Sequence, residues 1–279
     1  MLAPIAHLVR RHPLASFFVL AFTLSWWGWL AGACFPDAIP YLPYPILPYG
    51  PAVAAFIVLA LTEGKAGVLG LLRSIARWRV GTTWYVVALG LPVALYVVAV
   101  GANVLLGAPA PTAAQLGRWW TILPAFPLVI LLEGGALEEP GWRGYALPRL
   151  LAGRSALAAS LILGLVHAAW HLPLYIDRPT ELAYIPLVAA GSVLFAWIFN
   201  HTGGSALLAI LFHGALNTAS QFFAPMFAGA DATRLFWLLT AAYCLAALIV
   251  VALTGRTLQS HRSIAPTPRI RAATTAWKG

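Results

Sequence analysis

Apolar runs of about 20 residues, separated by short polar or Pro/Gly-rich breaks, occupy most of this chain. They predict eight helical segments, at residues 14–34, 47–63, 83–106, 120–152, 155–176, 183–199, 204–222 and 235–254. A helix rises ~1.5 Å per residue, so runs of this length cross a hydrocarbon core of about 30 Å. The pattern therefore predicts an all-α fold, a polytopic membrane bundle of about eight transmembrane helices forming one domain over residues 1–279. The fourth segment is longer than a bilayer needs. Between the first two, Pro36, Pro40, Pro43, Pro45 and Pro48 exclude a continuous helix. Around Gly67–Arg79, Leu69, Leu72, Ile75 and Ala76 alternate with Arg73, Arg77 and Arg79. That stretch reads equally as a helix lying on the membrane surface and as a basic loop. Asn200-His201, followed by two glycines, reads as a loop.

Composition agrees with the pattern. The chain is 61% hydrophobic and 9% charged, against about 25% charged residues in soluble domains. Its twelve Trp and nine Tyr suit membrane–water interfaces. Cys34 and Cys244 show neither metal-ligand spacing nor a disulfide framework. Arg10-Arg11 and the apolar run ending at Cys34 look loosely like a lipoprotein signal. Ala31 stands where a lipobox has Leu, however, and Trp26, Trp27 and Trp29 suit a retained span.

Charge sets the expected orientation. With a cytoplasmic N-terminus and eight crossings, only Arg118, Arg178 and Arg234 of the seventeen Lys and Arg fall outside, leaving fourteen inside. The positive-inside rule then predicts that both termini are cytoplasmic in the cell membrane, with residues 256–279 a basic, disordered tail. The net charge of +9 is accounted for by basic loops at an anionic leaflet. Lipid is therefore the expected partner, and nucleic acid is not.

Three polar clusters interrupt the apolar segments: Glu138-Glu139-Pro140-Gly141-Trp142-Arg143, His167-Ala168-Ala169-Trp170-His171, and His213-Gly214-Ala215-Leu216-Asn217. The chain has only eight acidic residues, and two stand side by side in the first cluster. Ionisable groups at membrane depth cost about 2.5–3.5 kcal/mol each on insertion, so they point to function. Glu139 and Arg143 are four apart and can pair, while Glu138 points ~100° away and stays free. His167 and His171, and His213 and Asn217, are likewise four apart. Counting helical rise from a turn near Gly153 brings Glu138 and His171 to similar heights, with His213 in reach. A carboxylate beside imidazoles can act as a general base, and a His and an Asn on a facing helix can stabilise an oxyanion. The same groups can instead hold a divalent metal such as zinc, with candidate ligands Glu138, His171 and His213. Both arrangements hydrolyse an amide without a covalent intermediate. His167 alone reads equally as a hydrogen-bonded packing residue, and Glu133 as a polar contact between helices.

These residues resemble the motifs of the CPBP (CAAX protease and bacteriocin-processing, or Abi) intramembrane protease family. Glu138-Glu139-x-x-x-Arg143 is similar to the first motif, His171 in Trp170-His171-Leu172-Pro173 to the second, and His213-x-x-x-Asn217 to the third. The resemblance covers about residues 120–220. It implies an intramembrane endopeptidase, with type II CAAX prenyl endopeptidases among the relatives and a membrane-associated or prenyl-peptide-like substrate. It implies Glu138 as the base with His171 assisting, His213 and Asn217 as the oxyanion site, and Glu139 and Arg143 in support. It leaves the metal open. One departure stands out: the second motif often reads Phe-x-x-x-His, whereas this chain has His167 in place of the Phe. On that ground His167 is expected to be secondary to His171. Two other functions compete. A non-catalytic immunity-type membrane protein is disfavoured by the intact set Glu138, His171, His213 and Asn217. A proton-coupled transporter is disfavoured by the lack of an internal repeat.

Overall fold

A computed structural model describes residues 2–34, 47–175 and 182–259. The chain is a polytopic helical membrane protein, and among the described residues it contains no strand. Its helices are α1 (Leu2–Arg11), α2 (Pro13–Cys34), α3 (Gly50–Thr62), α4 (Gly64–Ile75), α5 (Thr82–Leu105), α6 (Ala113–Leu116), α7 (Ile122–Leu132), α8 (Gly135–Gly141), α9 (Leu147–Leu151), α10 (Ala156–Trp170), α11 (Leu172–Tyr175), α12 (Tyr184–His201), α13 (Ala206–Phe223) and α14 (Gly229–Thr254).

Among the described residues, six stretches are long and apolar enough to cross a membrane: Pro13–Ala31, Thr82–Leu105, Ala113–Leu132, Tyr184–His201, Ala206–Met226 and Gly229–Thr257. Two further apolar helices, α3 and α10, are only 13 and 15 residues long. Both fall short of the ~20 residues that a hydrocarbon core needs. The bundle packs α10 on α12, α12 on α14, α13 on α5, α2 on α3, and α3 and α13 on α8. Its outer face stays apolar, with Leu105 89% and Leu253 72% exposed, as a lipid-facing surface requires.

The fourth predicted segment is not one helix. It breaks at Glu133–Gly134, where Gly134 has φ +125°, and widens to a π-helix over Trp142–Ala146. A side chain strains against that φ, so the break falls at a Gly. The widening follows Pro140, which offers no N–H to the ladder. The predicted hairpin turn does lie beside Gly153, between α9 and α10, and Ser155 caps α10 by accepting from the Ala158 N–H at 3.3 Å.

The basic stretch after Gly64 is helical through Ile75 as α4, with Leu71 buried, so its first part is not a loop. Asn200 and His201 are also not in a loop. They end α12, and the chain turns after them, at Gly203 and Gly204, both with positive φ. Side-chain hydrogen bonds favour the longer helix there: Asn200 Nδ2 donates to the Thr257 carbonyl at 3.2 Å. Most of the proline-rich stretch, at 35–46, and most of the expected tail, at 260–279, lie outside the described residues.

Candidate active site

The three polar clusters meet in the interior. Glu138 and Glu139 sit on α8, only 4% and 0% exposed, and their carboxylates go to different partners. Glu139 is fully committed. Both its oxygens accept from Arg143 Nη1, at 3.0 and 3.1 Å, and Oε1 also accepts from His213 Nδ1 at 2.7 Å. Arg143 in turn lies with its guanidinium carbon 3.8 Å from the centre of the Phe195 ring. This is the predicted i,i+4 pair, extended across to α13 by a contact that local spacing does not show.

Among the described residues, the side-chain partner of Glu138 is His167, whose Nε2 lies 2.9 Å from Oε2. Its other oxygen, Oε1, faces Gly134: a Cβ built on that glycine would stand 2.6 Å from Oε1 and 2.9 Å from His213 Nε2. Gly134 therefore keeps open the space in which a carboxylate oxygen and an imidazole nitrogen converge.

His171 ends α10. Its Nδ1 donates to the His167 carbonyl at 3.0 Å, so in the neutral ring Nε2 carries the lone pair. Asn217 Nδ2 donates to the backbone carbonyl of Glu133 at 2.8 Å. The Glu133 carboxylate accepts from Gln221 Nε2. Glu133 is thus exposed at the site and bonded to α13, rather than buried between helices.

These groups line a cavity of about 630 Å³ whose wall is otherwise largely apolar, including Leu132, Leu174, Leu187, Val188, Phe195 and Leu216. All four residues expected to be catalytic, Glu138, His171, His213 and Asn217, line it, as do Arg143 and His167. Gln221 and Tyr243 also line it and were missed from sequence. The signal for Gln221 was present: His213, Asn217 and Gln221 recur every four residues along one face of α13. Tyr243 stands in an apolar span far along the chain and carried none.

The metal set differs from the expected one. Among the described residues, the ligand atoms of Glu138, His167 and His171 lie within 4.8 Å of one another, and His213 is not part of that group. His213 is turned instead toward Glu139.

Residues 118–219 match the family model described as Type II CAAX prenyl endopeptidase Rce1-like. A curated relative, CAAX prenyl protease 2 of Methanococcus maripaludis, is 28% identical over 109 residues, covering 35% of this chain and 40% of that protein. The chain thus spans well under half of the relative's length. The matched segment holds all three polar clusters, and both likenesses support a CPBP/Rce1-like family.

Proposed function

We propose that the chain is an intramembrane endopeptidase that hydrolyses a peptide bond of a membrane-associated, prenyl-peptide-like substrate with water activated by Glu138. The observation that carries this reading is the asymmetry of the two adjacent carboxylates. Glu139 is held by an arginine and a histidine, whereas Glu138 keeps one oxygen turned to an open space in the cavity. A base needs that free oxygen within reach of the water it deprotonates.

In this mechanism water sits over Gly134, between Glu138 Oε1 and the scissile carbonyl. Glu138 takes a proton as the water attacks the carbonyl carbon, and returns it to the leaving amine as the intermediate collapses. His171 accepts a hydrogen bond from the water through Nε2. The oxyanion is met by His213 and by the second N–H of Asn217. His213 already gives its Nδ1 proton to Glu139, so it donates from Nε2 as the doubly protonated ring, with Glu139 as counter-charge. The relative's name supports a prenylated substrate, and the apolar wall suits a lipid-like chain.

A second reading, metal-assisted hydrolysis, rests on the Glu138, His167 and His171 cluster. A carboxylate and two imidazoles fit zinc, and anchoring His171 by Nδ1 to a carbonyl is how ligating imidazoles are oriented. A metal bound there supplies an acidified water. Purified protein in liposomes, given a quenched prenyl-peptide and a set of unprenylated membrane peptides, tests both. Cleavage that persists after chelation supports the metal-free base. Solute uptake without cleavage contradicts the enzyme.

Gly134→Ala is expected to lower turnover by ~10²-fold, because the added Cβ displaces the carboxylate oxygen and the imidazole together. Wild-type turnover in that variant contradicts a reacting space at Gly134. We also propose that both termini face the cytoplasm, on the distribution of Lys and Arg. Single cysteines at positions 5 and 270, in a background lacking Cys34 and Cys244, should resist impermeant reagents in intact cells. Labelling of either from outside contradicts the orientation.

A further inference from the structure

We infer that His167 is the positioning residue for Glu138, holding its carboxylate by one oxygen so that the other faces the reacting space over Gly134. The inference rests on the reading of Glu138 as the base. It departs from the motif, in which position 167 is an aromatic packing residue and His171 the active partner. Among the described residues, His167 is the side chain that hydrogen-bonds Glu138, through Nε2 and Oε2 at 2.9 Å. His171 instead donates from Nδ1 to a backbone carbonyl, that of His167.

The geometry assigns the proton. The partner of Nε2 is a carboxylate, which accepts, so Nε2 carries the hydrogen. Nδ1 is buried without a partner among the described residues, and a second proton there would leave an unpaired donor in a ring only 4% exposed. His167 is therefore the neutral Nε2–H tautomer, a fixed donor. Its ring is also fixed in place. Trp142, Trp170 and His171 stand around it with ring centres at 4.9, 5.8 and 4.7 Å. The slot is an aromatic one, and the imidazole fills it while adding the one N–H that the carboxylate needs. A Glu side chain has three free torsions, so without that bond the base swings between orientations, of which only some are productive.

Three variants in the full chain, assayed in liposomes with the same prenyl-peptide, test the assignment. His167→Phe keeps a ring in the slot and removes the donor. It should keep KM and the melting temperature and lose ~10²-fold in kcat, as a misplaced reacting group does. His167→Gln places an amide N–H near the position of Nε2 and should recover about tenfold or more of that loss, the worth of a hydrogen bond of ~1.4 kcal/mol. A purely structural role does not predict that split or that rescue. Wild-type kcat in His167→Phe, or a His167→Gln protein no better than His167→Phe, overturns the positioning role. Wild-type protein that holds one divalent ion per chain, with His167→Phe losing ion and activity together, overturns it in favour of ligation. Glu138→Gln is the control that separates the two claims: if it alone retains turnover, the base reading fails first.

Discussion

Replacing Glu138 by Gln is expected to remove turnover, by ~10²–10⁴-fold, while leaving the protein folded. The two carboxylates differ in what they hold. The Glu138 side chain has no ion pair with an arginine among the described residues; its partner is the His167 ring N–H. A glutamine oxygen accepts from the same N–H, so the contact survives and the volume is unchanged. Only the basicity is lost. Turnover on the prenyl-peptide and thermal unfolding in the same detergent are the paired measurements. Near-normal turnover contradicts the assignment of the base. A large drop in melting temperature shows that Glu138 is structural instead.

Glu139→Gln is expected to do the opposite and to cost stability first, by about 3–5 kcal/mol, the range for breaking a buried pair from one side. Arg143 is 1% exposed, and among the described residues its ion-pair partner is Glu139. Arg143 Nε and Nη2 already lack partners among the described residues, so the charge has little to fall back on when the carboxylate is neutralised. His213 loses the acceptor of its Nδ1 at the same stroke, so turnover falls as well. Glu139→Gln combined with Arg143→Met removes the stranded charge and should recover much of the stability but not the turnover. Unfolding curves for the single and double variants check this. A Glu139→Gln protein as stable as wild type contradicts the structural role of the pair.

The membrane class and most helix positions followed from the sequence alone, because the length of an apolar run and the pairing of residues four apart are local properties. Glu139 with Arg143 is the clearest case: 3.6 residues per turn places them together in any helix. That the three clusters share one depth was also legible, by counting helical rise.

What the local rules could not supply is the phase of one helix against another. The α10 helix sits close on α12 because position 164 is Gly; a Cβ there would come 2.8 Å from the Ala189 Cα. That approach, together with the π-helix after Pro140, presents His167 rather than His171 to Glu138. The break at Gly134 was hidden for the same reason: glycine is common in membrane helices, and its positive φ and the approach of Glu138 Oε1 and His213 Nε2 show why this one has no side chain. Asn217 bonds to a backbone carbonyl, which no residue pattern reveals. The sequence by itself determined that Glu138, Glu139, Arg143, His167 and His213 are buried in this bundle, since their burial follows from the surrounding apolar residues, but it misplaced Glu133, which is exposed. Which of those groups touch was decided by tertiary packing: turning α8 by the ~100° between neighbouring residues exchanges the two carboxylates' partners, while the two histidines, four apart on one face, trade neighbours only if α10 slides by about one turn.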